Sequence, residues 1–386
     1  MKIKIAILGS TGSIGRSTLD IIKKNKSKFS VELLMAQNNY TEIIRQAKIF
    51  KAKNVLIGNK EYFEKIKKKL KKNKTKVFSG STPIDKIISK KIDYTMCAIV
   101  GIAGLKSTVE ASKCSRKIAI ANKESIICGW NILTKYTKKY KTKILPVDSE
   151  HFSIMELSDK IKNKDVEEII LTASGGPFLN TSINKLKKIS PKQAVLHPNW
   201  KMGKKISVDS ATLMNKVFEI IEATKIFKFD PYKYRILIHP QSYVHSIIKY
   251  KNGLTKMLLH ETDMRIPIAN TIFGNKTKFK NNKRLDSIKL DKLRFFEVDK
   301  KRFPSTKFIK KIIQNGQSGP IILNASNEIL VSLFLQKKIK FTDICRVLDK
   351  IIRHKNFNKY AKKKTNSLKE IYKLDQWARV MTKSFV

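Results

Sequence analysis

Acidic side chains are sparse in this chain of 386 residues: 31 Asp and Glu stand against 81 Lys and Arg, a formal net charge of +50. Cysteine is sparse too. Cys97, Cys114, Cys128 and Cys345 show neither C-x-x-C nor metal-finger spacing. That argues against a disulfide framework and a thiolate metal site, and for a reducing cytoplasm. Long apolar runs are missing: YTMCAIVGIAGL (94–105) is far too short to span a bilayer, so no membrane partner is expected. The opening MKIKIAILGS lacks the long apolar centre and small-residue cleavage site of a signal peptide and reads as a first strand. Arginine, suited to bidentate phosphate and base recognition, is outnumbered by lysine, which is spread along every segment. Runs such as KIKKKLKKNKTK (65–76) carry no interleaved aromatics and read as solvated helix faces and a turn. No nucleic-acid partner is expected.

What remains is ample for a folded, globular protein. A 41% apolar and 9% aromatic composition supports a globular interior, and the length suggests two or three domains. Residues 1–147 alternate β-rich runs (IKIAIL, VELLMA, NVLIG, DYTMCAIV, KIAIAN, TKILPV) with helical stretches, the pattern of a parallel, helix-covered sheet. From residue 148 to 274, VEEIILTA, YRILIH, YVHSIIKY and TKMLLHE read as strands around one long helix, SATLMNKVFEIIEATKIF. Residues 275–302 are charged and linker-like, and 303–386 read as helices. The fold class expected is α/β: an N-terminal doubly wound parallel sheet (Rossmann-like), a central α+β domain and a C-terminal α-helical domain.

Five stretches carry chemistry. LGSTGSIG (8–15) follows a strand and opens a helix, so Gly9, Gly12 and Gly15 permit a tight turn and close approach to a pyrophosphate. Such turns also occur without ligands, and the surrounding βα alternation favours a dinucleotide. The second strand ends in Gln37, Asn38 and Asn39, neutral where an NAD enzyme usually places an acid, which favours NADPH. IANKES (120–125) puts Lys123 and Glu124 at a strand end, where parallel sheets bind ligands and where ordinary ion pairs also sit. PVDSEH (146–151) sets Asp148 and Glu150 on one side of an extended segment with Ser149 between them. That is either a hard-oxygen site for Mg²⁺ or Mn²⁺ or a helix N-terminus favouring acids. HPNWKMGKKISVDSATLMNKVFE (197–219) places Asn215 and Glu219 on one helix face beside Lys216, with Ser210 or Thr212 near the N-cap, a set suited to a phosphate and a metal. His197, Trp200 and Met202 precede it in a loop. TASGGPF (172–178) adds a small-residue turn at Ser174.

With these residues in order and spacing, joined by HPQSYVHS (239–246) and NASNE (324–328), the sequence resembles the 1-deoxy-D-xylulose 5-phosphate reductoisomerase family nearly end to end. The resemblance implies a Rossmann-like NADPH domain, a central catalytic, metal-binding and dimerisation domain and a helical C-terminal domain, assembled as a homodimer. It implies that Asp148, Glu150 and Glu219 ligate the divalent metal. Lys123 and Ser149 would contact the substrate's carbon-chain oxygens. Ser174, Ser210, Asn215 and Lys216 would hold its phosphate, with His197, Trp200 and Met202 on a covering loop. Thr11, Gly12, Ser13, Ile14, Asn39, Asn122, Glu124 and Gly203 would line the cofactor. The reaction implied rearranges the sugar-phosphate skeleton to an aldehyde, which NADPH reduces to 2-C-methyl-D-erythritol 4-phosphate for isoprenoid synthesis. Gln37-Asn38-Asn39 departs from the family's usual Gly-Lys/Arg-Asn, removing a cation at the 2′-phosphate end.

Overall fold

IKIAIL is apolar on both sides of the pleat, so its strand needs cover on both faces. It is strand β1 (Ile3–Leu8), with Ile5, Ala6, Ile7 and Leu8 fully buried at the centre of a parallel sheet. The computed structural model of the chain describes residues 1–159, 161–274 and 287–386. Helix α1 (Ser13–Lys24), β2 (Phe29–Ala36), α2 (Tyr40–Phe50), β3 (Asn54–Ile57), α3 (Phe63–Leu70) and β4 (Lys76–Ser79) follow in strict alternation. After the single turn α4 (Ile84–Ile87) come β5 (Ile92–Cys97), α5 (Ala103–Cys114), β6 (Ser115–Ile120), α6 (Lys123–Lys139) and β7 (Lys143–Pro146). The seven strands run in the order β4-β3-β2-β1-β5-β6-β7, all parallel. The chain therefore switches direction across the sheet between β1 and β5, the crevice where doubly wound sheets bind ligands. The lysine-rich α3 buries only Ile66 and Leu70, and its lysines face solvent.

By its contacts the chain divides into two compact units, one of Met1–Asp148 with the segment starting at Asp263, the other of Ser149–Thr262 with the C-terminal part. The second unit opens with α7 (Ser149–Leu157) and β8 (Val166–Ala173), continues through the short α8 (Pro191–Ala194), α9 (Lys204–Ala211) and α10 (Met214–Phe227), and reaches β9 (Tyr234–Ile238), β10 (Val244–Tyr250) and β11 (Thr255–Leu259). Helix α11 (Arg265–Phe273) belongs to the first unit: Thr271 Oγ1 and the buried Tyr94 hydroxyl are 2.9 Å apart, and Phe273 meets Phe29 edge-on. Part of the expected linker, residues 275–286, lies outside the described residues. Its remainder forms α12 (Ser287–Leu290) and the two-residue strand β12 (Phe296–Glu297). Helices α13 (Phe308–Gln314), α14 (Gly319–Leu335), α15 (Phe341–Arg353), α16 (Lys355–Ala361) and α17 (Leu368–Lys383) complete the chain.

The second sheet is mixed, in the order β11-β10-β8-β9-β12, with only β8 and β9 parallel. Strand alternation sends Ile169, Leu171 and Ala173 to one face, where they pack with Ile154, Leu213, Ile220 and Phe303, and Ile170 to the other with Val244 and Ile247. Burying each such aliphatic side chain stabilises the fold by roughly 1.5–3 kcal/mol.

Two local expectations are corrected. Residues 144–150 are not one extended run: the strand stops at Pro146 and a helix starts at Ser149. The long helix is two helices, because Leu213 adopts a left-handed backbone (φ 57°) between α9 and α10. Ser210 therefore sits in the last turn of α9 and Thr212 at its C-terminal cap, not at an N-cap.

Candidate active site

In the first unit, the turn after β1 is built by close backbone approach. Gly9 (φ 85°) faces the end of β5, and a Cβ on Gly15 would fall 2.3 Å from the Gly9 carbonyl oxygen and 2.6 Å from Ser10 Cα. Helix α1 starts at Ser13 and Ile14 with Gly12 as N-cap, no side-chain cap and no acid in its first turn. Its N-terminal partial positive charge is left for an anion. Thr11 shapes the turn, its carbonyl accepting from Arg16 Nε at 2.9 Å. We expect Gly15→Ala to weaken NADPH binding at least about tenfold, because the obstructing atoms are backbone and the loop must move. Fluorescence titration of NADPH into the variant measures it.

At the tip of β2, Gln37, Asn38 and Asn39 are exposed, and the Asn39 side chain caps α2 by accepting the Glu42 N–H at 3.1 Å. Asn122 and Glu124 are buried in the fold. The Asn122 amide donates to the carbonyls of Ile99 and Gly101 and to Glu124 Oε2, and its oxygen caps α6. Lys123 pairs with Asp148, the last residue of the first unit.

In the second unit, α7 and α10 bring acids and a cation together. Glu219 and Lys216 are almost wholly buried one turn apart on α10, and Glu150 comes from the first turn of α7. Lys216 Nζ lies 2.5 Å from Glu150 Oε1 and also pairs with Glu219 Oε2. The second oxygen of Glu150 accepts from Ser149 Oγ at 2.5 Å, and that of Glu219 from the Asn215 amide. Carboxylate oxygens of Glu150 and Glu219 lie within 4.8 Å of each other. Burial alone would lower the Lys216 pKa, but the two carboxylates outweigh it and hold the ammonium above the ordinary lysine value. His151 donates from Nε2 to the Glu219 carbonyl at 2.8 Å, and Ser246 Oγ donates to the Glu150 carbonyl at 3.0 Å, fixing both backbones.

A second cluster forms where β8 ends. His197 Nδ1 accepts the backbone N–H groups of Asn199 and Trp200 at 3.1 and 3.0 Å, so its proton is on Nε2, which donates to Ser174 Oγ at 2.9 Å. Burial pushes the His197 pKa down to about 4, so the ring is neutral at pH 7. Ser174 Oγ also accepts the Gly176 N–H at 3.1 Å, which leaves its own proton to donate outward. Gly176 (φ 67°) rests on α9: a Cβ there would lie 2.9 Å from Ala211 Cα and 3.1 Å from the Ser210 carbonyl. The turn at Ser174 and the end of α9 bearing Ser210 are therefore neighbours.

Trp200 meets His245 edge-on, and Met202 is half-buried in the same segment. Gly203 is the N-cap of α9, and a Cβ there would meet open space. The sequence reading missed Asn199, whose amide donates to the Pro240 carbonyl at 2.6 Å and to Ser242 Oγ at 2.9 Å. The pairing of two His-Pro motifs, HPNW and HPQS, was the available signal.

This chain is similar throughout to known proteins. The family described as 1-deoxy-D-xylulose 5-phosphate reductoisomerase matches residues 5–129, its C-terminal domain matches 144–227, and the DXP reductoisomerase C-terminal domain matches 259–381. The 1-deoxy-D-xylulose 5-phosphate reductoisomerase of Pelagibacter ubique is 48% identical over 383 residues, covering 99% of each chain. That of Wolbachia pipientis wMel is 42% identical, covering 99% of this chain and 97% of its own. Among solved structures, the Zymomonas mobilis enzyme in complex with NADPH superposes with TM-score 0.91 at 35% identity, over 100% of this chain and 99% of that one. A DOX-P reductoisomerase in complex with NADPH, fosmidomycin and magnesium gives TM-score 0.92 at 32% identity, over 99% and 98%.

Proposed function

The chain belongs to the 1-deoxy-D-xylulose 5-phosphate reductoisomerase family, and from that premise we propose how its own residues carry the reaction. It is an NADPH- and divalent-metal-dependent reductoisomerase that converts 1-deoxy-D-xylulose 5-phosphate to 2-C-methyl-D-erythritol 4-phosphate in isoprenoid biosynthesis. The observation that carries the assignment of residues is the buried Lys216 ammonium held between Glu150 and Glu219. A buried carboxylate (Glu219) and a half-buried one (Glu150) with one ammonium keep an excess negative charge, and oxygen-only donors suit a hard divalent cation. Asp148, the residue ahead of α7, completes the ligand set with Glu150 and Glu219 for Mg²⁺, or Mn²⁺. That cation, when bound, supplies Lewis-acid polarisation of the substrate carbonyl and neutralises the charge that develops there.

With the acids so engaged, Lys216 turns from them to the substrate phosphate, joining Asn215, Ser210 and Ser174. The outward-donating hydroxyl of Ser174, set by His197 and Gly176, is already arranged for an anion. Ser149 and Lys123 orient the oxygens of the carbon chain. His197, Trp200 and Met202 cover the substrate, exclude water and keep the rearranging skeleton from escaping before reduction. Gly9, Thr11, Gly12, Ser13 and Ile14 take the pyrophosphate of NADPH, the hydride source, and Gln37, Asn38, Asn39, Asn122, Glu124 and Gly203 line its remaining length.

The functional division we propose is 1–147 for NADPH, 148–274 for catalysis and dimerisation, 275–302 as linker and 303–386 as the helical C-terminal domain. A homodimer formed through the second sheet is supported by its edge strand β11, which leaves Met257 exposed beside Leu254. Among the described residues no helix is long and apolar enough to cross a membrane. Free cysteines support a cytoplasmic setting.

The test is NADPH oxidation in the presence of 1-deoxy-D-xylulose 5-phosphate. We expect turnover with Mg²⁺, loss of more than about 99% of it in excess chelator, and full recovery on adding Mg²⁺ back. Turnover that survives the chelator contradicts the metal assignment.

A further inference from the structure

We propose that Asp209 and Asn327 are positioning residues that hold Ser210 in place for the substrate phosphate from the C-terminal helices of the second unit. The inference rests on the reading of Ser210 as a phosphate ligand. Helix α9 is only eight residues long, and it ends at a junction where Leu213, a bulky residue, adopts a left-handed conformation. Such a backbone persists only when its surroundings over-determine it. Here they do so from three sides.

Asp209, beside Ser210 in the chain, is 1% exposed, and its Oδ1 accepts from the Asn327 amide of α14 at 2.7 Å, across 118 residues of sequence. Its Oδ2 lies 3.0 Å from Lys205 Nζ, one turn earlier on α9. The Thr212 carbonyl, at the end of α9, accepts from Ser305 Oγ at 2.6 Å. The Gly176 backbone also rests against Ser210 and Ala211 with no room for a Cβ. A shift of α9 on α14 therefore changes how it meets the turn that carries Ser174. The separation of the two phosphate-binding hydroxyls depends on the bond between Asp209 and Asn327.

An anchor that served only stability would do better without polar atoms, because a buried carboxylate and a buried amide must be desolvated. Asn327 Oδ1 is itself buried with no hydrogen-bond partner in the structure, so the polar contribution of this amide comes from its Nδ2. A hydrogen bond is directional, and apolar packing is not. Hydroxyl donors to a phosphate need placement within about 0.5 Å, which is the demand a directional anchor meets.

Asn327→Ala and Asp209→Ala are each expected to raise the KM for 1-deoxy-D-xylulose 5-phosphate about tenfold or more. They should raise the inhibition constant of inorganic phosphate in parallel, leaving NADPH affinity unchanged. The double variant should be no worse than either single one. Asp209→Asn keeps an oxygen acceptor for Asn327 while giving up the Lys205 pair, and should bring KM back most of the way from the alanine variant's value toward the parent's, a rescue that mere loss of stability does not give. Asn327→Ser serves as a milder arm, so that poor folding of the alanine variant does not end the test. Ser210→Ala sets the scale of a lost phosphate contact. If Ser210→Ala raises KM and the folded Asn327 variants do not, the positioning role is wrong. If Ser210→Ala itself leaves KM unchanged, the phosphate reading fails and the inference falls with it.

Discussion

Glu219→Gln lowers kcat/KM by on the order of 10³-fold or more and removes the dependence of the remaining turnover on Mg²⁺, while NADPH binds as before. The magnitude follows from the role: a Lewis-acid cation supplies several kcal/mol of transition-state stabilisation, and each 1.36 kcal/mol is a factor of ten. The substitution is close to isosteric, and the single Gln carbonyl can still accept from Asn215 or from Lys216, which donate to the two oxygens of the Glu219 carboxylate. A circular-dichroism spectrum and a melt of the variant check that α10 is kept. What is lost is the anionic oxygen of a fully buried side chain, which a neutral amide replaces poorly as a metal ligand. The dinucleotide turn belongs to the other compact unit. Equal loss of activity and of NADPH affinity would mean that Glu219 is structural.

Lys216→Met has a second, distinguishable signature. In metal-free buffer it leaves Glu150 and Glu219 facing each other without their shared ammonium. Removing one partner of a buried ion pair costs about 3–5 kcal/mol, so the melting temperature falls by on the order of 10 °C. Saturating Mg²⁺ restores most of that loss, because a divalent cation neutralises the same two acids. The parent, whose lysine already does so, is also stabilised by Mg²⁺ but by less than the variant. With Mg²⁺ present the variant still binds substrate poorly, with KM raised about 10- to 100-fold, the value of a charged hydrogen bond to a phosphate. Calorimetric melts with and without Mg²⁺, together with initial rates, separate the two effects. A melting loss that Mg²⁺ does not repair would assign Lys216 to the fold alone.

Much of this architecture is written locally. The parallel sheet was readable because each strand is a short apolar run and each helix a longer amphipathic one, and VEEIILTA is strand β8 to the residue. Of the two readings of PVDSEH, the helix N-terminus is seen: Ser149 and Glu150 open a helix, and Glu150 from that helix reaches Lys216, the ammonium that it shares with Glu219. The break at Leu213 was not readable, since SATLMNK has neither glycine nor proline to mark it. It is imposed by the core around Leu213 and by the bond from Ser305 to the Thr212 carbonyl. The same holds for Asn199 reaching Pro240, for α11 joining the first unit at Tyr94 and for Asn327 meeting Asp209. Each is a contact between residues far apart in sequence, set by tertiary packing that no local period records.

Asp148, Glu150 and Glu219 are proposed to surround a divalent cation, with Lys216 standing in its place when it is absent. Titration of Mn²⁺ into the full chain, followed by its paramagnetic resonance signal, tests it most directly. The account predicts one tight site per chain in the parent, tighter still in Lys216→Met, and none in Glu219→Gln. Undiminished binding in Glu219→Gln, or weaker binding in Lys216→Met, would contradict it.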